Sequence, residues 1–137
     1  MRILGIDYGE KRIGLAISDP LGFTAQGLET LLNRGSKQVI QELSKICRER
    51  EVDEIVIGLP INMNGSKGPK AEQVLKLVPV LEKEINIPIK TWDERLTSRQ
   101  ADRLMIEEGL SRERQKQNSD RLAATLILQG YLESRRK

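Results

Sequence analysis

Three acidic positions sit where an acid is hard to explain as solvated surface. Asp7 closes the apolar run Ile3-Leu4-Gly5-Ile6, a pattern that predicts a buried strand. An ionised carboxylate there is costly unless a charged or hydrogen-bonding partner meets it. Asp120 lies three, four, seven and eleven positions before Ala123, Ala124, Ile127 and Tyr131, so it shares the inward stripe of a helix at its first turn. Asp93 and Glu94 are neighbours in a third element, a strand, whose alternation lets only one of them join a given site. Taken singly, Asp120 is explained by the helix dipole and the strand acids by solvation. Together they could share a cation that none could hold alone.

The side-chain inventory narrows the cation and the chemistry. The 137 residues include no His and one Cys, Cys47, so Ser-His-Asp and Cys-His machinery is absent and zinc lacks its usual ligands. An all-oxygen donor set favours Mg²⁺ or Mn²⁺.

The elements that must position these acids follow from periodicity. Residues 2–7 predict a first strand, and the turn Tyr8–Lys11 leads to a second over 12–18, where Ile13, Leu15 and Ile17 alternate. Residues 23–31 predict a weak third strand. A helix over 36–50 carries Val39, Ile40, Leu43, Ile46 and Cys47 on one face, which makes Cys47 a core residue. The run "EIVIG" at 54–58 reads as a strand covered on both sides. The following loop, 59–69, is rich in Gly, Pro, Asn and Ser and has the composition of a mobile or ligand-contacting segment. A second helix spans 70–84 and a fifth strand 87–94. Thr97–Gln100 forms a capping box that opens a helix running to Gly109. A polar link, "SRERQKQNS", precedes a last helix over 119–134. Three sequential strands followed by alternating helices and strands predict a mixed α/β sheet with helices on its faces.

The length predicts one domain, 1–137. The N-terminus lacks a signal-peptide core and no apolar run reaches the ~18 residues of a membrane span, so the expected compartment is the cytoplasm, with no membrane partner. Residues 95–137 hold ten Lys/Arg against six Asp/Glu, whereas residues 1–94 hold thirteen against fourteen. That basic C-terminal third suits a polyanion.

Four blocks in order, "GIDYGEKRIGLAISD" at 5–19, "IVIGLPINMNGSKGPKA" at 55–71, "DERLTS" at 93–98 and "SDRLAATLILQGYL" at 119–132, resemble the YqgF family, also called RuvX, over nearly the whole chain. The resemblance implies a ribonuclease H-like fold, with a five-stranded mixed sheet of three antiparallel and two parallel strands flanked by helices. It implies a nuclease that processes the 5′ end of the 16S ribosomal RNA precursor, with ribosome-associated factors nearby. The alternatives it carries are a Holliday junction resolvase-like endonuclease acting on branched DNA and a non-catalytic RNA-binding assembly factor. It maps a catalytic, metal-holding set onto Asp7, Glu94 and Asp120, and so chooses Glu94 over Asp93. Lys11, Arg12, Arg95, Arg99 and Arg121 adjoin these acids in sequence and could grip phosphates. Ser98, and Asn64, Ser66 and Lys67 of the 59–69 loop, complete the expected nucleic-acid contacts. With only four aromatic residues, recognition should lean on backbone and shape rather than on stacking.

Overall fold

The computed structural model describes residues 1–62, 64–93 and 112–135, with side chains in the last segment described from residue 121 onward. Its strands are β1 (Ile3–Tyr8), β2 (Arg12–Ser18), β3 (Ala25–Gly27), β4 (Leu31–Leu32), β5 (Glu54–Leu59) and β6 (Ile89–Asp93), and its helices are α1 (Ser36–Glu49), α2 (Pro69–Ile85) and α3 (Arg112–Arg135). The sheet order is β3-β2-β1-β5-β6, with β4 also paired to β2. β1 and β2 form an antiparallel hairpin, while β1, β5 and β6 run parallel. The expected mixed sheet is therefore present.

Two apolar layers cover the sheet. On one face Leu4, Ile6, Ile13, Leu15, Ile55 and Ile57 pack with Val39, Leu43 and Cys47 of α1 and Val74, Leu77 and Leu81 of α2. On the other, Ile3, Ala16 and Val56 pack with Ala124, Ile127, Leu128 and Leu132 of α3. β5 is buried along its whole length, as its unbroken apolar run requires of a strand with helices on both sides.

Two elements differ from the sequence reading. The third strand, expected as one piece over 23–31, is split. β3 pairs with β2 in the register Ala16↔Gly27, whereas β4 pairs as Ile13↔Leu31. Leu28 N–H still bonds Leu15 C=O at 2.8 Å. Glu29 and Thr30 thus face Gly14 alone, which is a β-bulge with one inserted residue. The last helix begins at Arg112 rather than at 119. Residues 112–117 of the stretch read as a polar link are Arg, Glu, Gln and Lys, all good helix formers, and the stretch lacks the apolar stripe that would have marked it. The helix expected over 97–109 lies outside the described residues.

Candidate functional site at the carboxyl end of the parallel strands

Parallel strands place their carboxyl ends on one edge, and here that edge collects the end of β1, the loop after β5 and the end of β6. α1 and α2 also open at this edge, so their amino-terminal dipoles point toward it. Asp7, the penultimate residue of β1, is half-buried. Alternation fixes its face: Gly5, two residues earlier, lies against Ala124 and Leu128, so Asp7 also faces α3.

The neighbours of Asp7 on that face lack side chains. Gly14 is its partner in β2, and Gly58 lies one register step beyond the Ile6↔Ile57 pair of β5. The carboxylate therefore stands between two glycines. Isolated glycines within a strand signal close approach, and that signal was available at Gly14 and Gly58 in the sequence. Arg12 shares this face, diagonally across the ladder from Asp7, within reach of a long side chain.

Helix α3 covers the same face of β1, two residues before Asp7. A Cβ on Gly5 would stand 2.8 Å from Leu128 Cβ and 3.2 Å from Ala124 O, so the helix seats on β1 only because residue 5 is glycine. Ala124 lies one turn from residue 120, and Gly27, in the same register row as Gly5, lies against the Arg121 stem, so this stretch of α3 crosses from β1 toward β3. Asp120 lies on α3 one turn before Ala124, and its side chain lies outside the described set. Arg121 is exposed.

Asp93 falls on the other face. It pairs with Leu59, which belongs to the α1/α2 layer, whereas Trp92 packs with the α3 layer. Only one of the two strand acids can share the face of Asp7, and Asp93 does not. Glu94, Arg95, Ser98 and Arg99 lie outside the described residues. Among the described residues no group of three His, Cys, Asp or Glu side chains is placed to hold a metal ion.

The two loops of this edge are braced from within. Asn33 Nδ2 donates to Gly9 C=O at 2.8 Å, Asn33 N–H donates to Lys11 C=O at 2.9 Å, and Asn33 Oδ1 accepts from Gly35 N–H at 3.1 Å. One asparagine thereby pins the β1–β2 turn and leaves Lys11 exposed on it. Its polar position before Gly35 resembled any loop residue, so sequence reasoning passed it over. After β5, Ile61 and Lys67 form an antiparallel bridge. Inside it, Asn64 Oδ1 accepts from Ser66 N–H at 3.0 Å and from Ser66 Oγ–H at 2.6 Å, and Asn62 Nδ2 donates to Ser66 Oγ at 3.0 Å. Asn64 and Ser66 are spent largely on shaping the loop, while Lys67 projects from it, exposed.

At the opposite edge a buried acid ties the far end of α3 to the sheet. Glu54, 6% exposed, accepts from Tyr131 Oη and from Arg135 Nη1 at 2.9 Å. Burial, with Glu54 as hydrogen-bond partner, pushes the Tyr131 hydroxyl up to about 12. Trp92 meets the Tyr131 ring edge-to-face at 6.2 Å. The Glu54 contacts fix the helix at that far edge, whereas Trp92, paired with Gly58, stands in the register row of Asp7.

Known proteins resemble this chain in sequence and in fold. A protein from Clostridium acetobutylicum named "Putative pre-16S rRNA nuclease" is 55% identical over 134 residues, covering 98% of this chain and 99% of its own, and a Clostridium botulinum protein of the same name is 54% identical over 134 residues. Among solved structures, RuvC of Thermus thermophilus in complex with a Holliday junction substrate superposes with TM-score 0.62 at 18% identity, covering 99% of this chain and 96% of its own. The fowlpox virus resolvase bound to Holliday junction DNA gives TM-score 0.63 at 13% identity with both chains fully covered. These likenesses identify the fold as ribonuclease H-like. Among the described residues no helix is long and apolar enough to cross a membrane. Residues 1–134 match the model of the family described as RuvX, Holliday junction resolvase, to which the chain belongs.

Proposed function

We propose that the chain is a single-domain nuclease, cytoplasmic, that hydrolyses phosphodiester bonds with divalent cations and acts on the 5′ end of the 16S ribosomal RNA precursor. The observation that carries this reading is the half-buried carboxylate of Asp7 set between Gly14 and Gly58, on the face that α3 covers. The relatives' shared name supplies the substrate class. The donor chemistry fits Mg²⁺ or Mn²⁺: the chain has no His, and its one Cys is buried in the α1 layer, so any ion here is held by oxygen.

Asp7, Glu94 and Asp120 would hold the cations. Bound there, divalent ions supply an activated water and neutralise charge on the phosphate. The remaining tasks belong to the chain. Arg12, on the Asp7 face, and Lys11, on the pinned turn, grip phosphates beside the scissile one, with Arg95, Arg99 and Arg121 extending the track. Lys67 carries positive charge on the loop after β5, and Asn64 and Ser66 hold that loop in shape. Glycines at 14 and 58 let the nucleic-acid backbone approach the sheet.

A second reading, cleavage of branched DNA, is favoured by the family's description as a Holliday junction resolvase. One preparation incubated with a ribosomal RNA precursor and with a four-way DNA junction, each with Mg²⁺ or Mn²⁺, separates the two. The expected result is cleavage of the RNA, abolished in Asp7→Asn while thermal unfolding is unchanged. Cleavage that persists in Asp7→Asn would remove this site. RNA binding without cleavage under either ion would instead make the protein an assembly factor.

A further inference from the structure

A cavity of about 400 Å³ opens beside the Asp7 edge but on the opposite face of the sheet, between the β1–β2 turn, the start of α1 and the first half of α2. Its size lies at the small end of the ~300–1,000 Å³ range of ligand pockets. Its walls differ in chemistry. Tyr8, Leu77 and Val80 supply aromatic and aliphatic surface, and Val80 is 46% exposed although it is apolar. Ser36, Gln73 and Lys76 supply a hydroxyl, an amide and an ammonium group, and Glu10 a carboxylate at the turn. Among the described residues the side chains of Tyr8, Gln73 and Lys76 make no hydrogen bond or ion pair with the protein.

We propose that this cavity receives one unstacked base of the strand engaged at Asp7. A nucleobase is a flat apolar body with donors and acceptors on its edge, joined to an anionic backbone. The Tyr8 ring and the Leu77 and Val80 side chains match the body, the Gln73 amide offers both a donor and an acceptor to the edge, and Lys76 meets a phosphate. Asp7 and Tyr8 are consecutive in β1 and point to opposite faces, so a strand that crosses the β1–β2 turn passes from one to the other. The Asn33 hydrogen bonds to Gly9 and Lys11 hold that crossing rigid. The cavity would then set which nucleotide lies a fixed step from the cut. A single aromatic face makes this a one-base contact and not a stacking track.

The inference rests on the nucleic-acid reading above but not on cleavage, so binding tests it in EDTA. A short single-stranded RNA of the precursor's 5′ region, made with one abasic site at each position in turn, is titrated against the intact protein, Gln73→Ala and Val80→Trp. The expected profile for the intact protein has one position where base loss weakens binding about tenfold, the scale of one stacked base. Both cavity variants should bind the complete RNA about tenfold more weakly and show a flat profile. Gln73→Ala leaves an exposed helical position with a better helix former, so it serves if Val80→Trp folds poorly. A flat profile in the intact protein, or a sensitive position that survives in Gln73→Ala, overturns the proposal. So does a free nucleoside monophosphate that binds in a Gln73-dependent way while the abasic series stays flat, which would make the cavity a site for soluble nucleotide.

Discussion

Replacing Gly5 by alanine tests how the site is assembled more directly than removing an acid. The new methyl carbon would lie 2.8 Å from Leu128 Cβ, about 1 Å inside an ordinary carbon–carbon contact of ~3.5–4.0 Å. Leu128 Cβ is fixed to its helix, and Ala124 O, at 3.2 Å, is backbone; neither can swing aside. The strain therefore moves α3 as a body. Overpacking of this kind costs about 1–3 kcal/mol, which for a domain of this size lowers Tm by roughly 5–10 °C. Displacing the Asp120 turn by ~1 Å relative to Asp7 should reduce turnover about a hundredfold. Differential scanning calorimetry and cleavage of the RNA precursor measure the two effects. Gly130→Ala is the comparison, because its Cβ would meet Trp92 Cζ2 at 3.1 Å, the outer edge of a ring that can tilt, so both losses should be smaller. Wild-type Tm and turnover in Gly5→Ala would refute the idea that this glycine sets the distance between the two elements.

Asn33→Ala removes the two hydrogen bonds of its side chain, to Gly9 C=O and from Gly35 N–H, and keeps the backbone bond to Lys11 C=O; it should cost about 1–2 kcal/mol and weaken RNA binding through a loosened β1–β2 turn, read by urea unfolding and fluorescence titration. Burial, with Glu54 as hydrogen-bond partner, pushes the Tyr131 hydroxyl from an ordinary 10 up to about 12; since the folded value is the raised one, its contribution is intact below pH 10 and is lost as pH climbs from 10 toward 12. Tyr131→Phe should abolish the late phenolate absorbance and flatten that part of the stability curve. Burial pushes the Cys47 thiol up to about 11, so Ellman's reagent should leave the native protein unmodified and label one thiol after unfolding; rapid labelling of the native state would contradict the packing of α1.

The sheet and both its covering layers were legible because apolar periodicity reports burial directly: the unbroken β5 run and the α1 stripe of Val39, Leu43 and Cys47 are statements about water exclusion. Asp7 was legible for the converse reason, as a carboxylate where periodicity demands an apolar residue. The choice of Glu94 over Asp93 came from the family resemblance and not from periodicity, because strand alternation says that they diverge but not which faces α3; the pairing Leu59↔Asp93 excludes Asp93 from the Asp7 face. The early start of α3 was hidden by a stretch that is helical by propensity and polar throughout. The bulge at Glu29–Thr30 was hidden because register is a relation between two strands, and a single strand's pattern carries none of it. Asn33 was hidden because a hydrogen bond to a turn 24 positions away leaves no local trace.

The bulge also bears on how the protein survives at high concentration. β3 and β4 are three and two residues long, and the inserted residue between them interrupts the row of outward amide and carbonyl groups on that border. A neighbouring molecule that tried to extend the sheet would find no continuous template longer than three residues, so chain-to-chain polymerisation is blocked on this side by geometry instead of by charge.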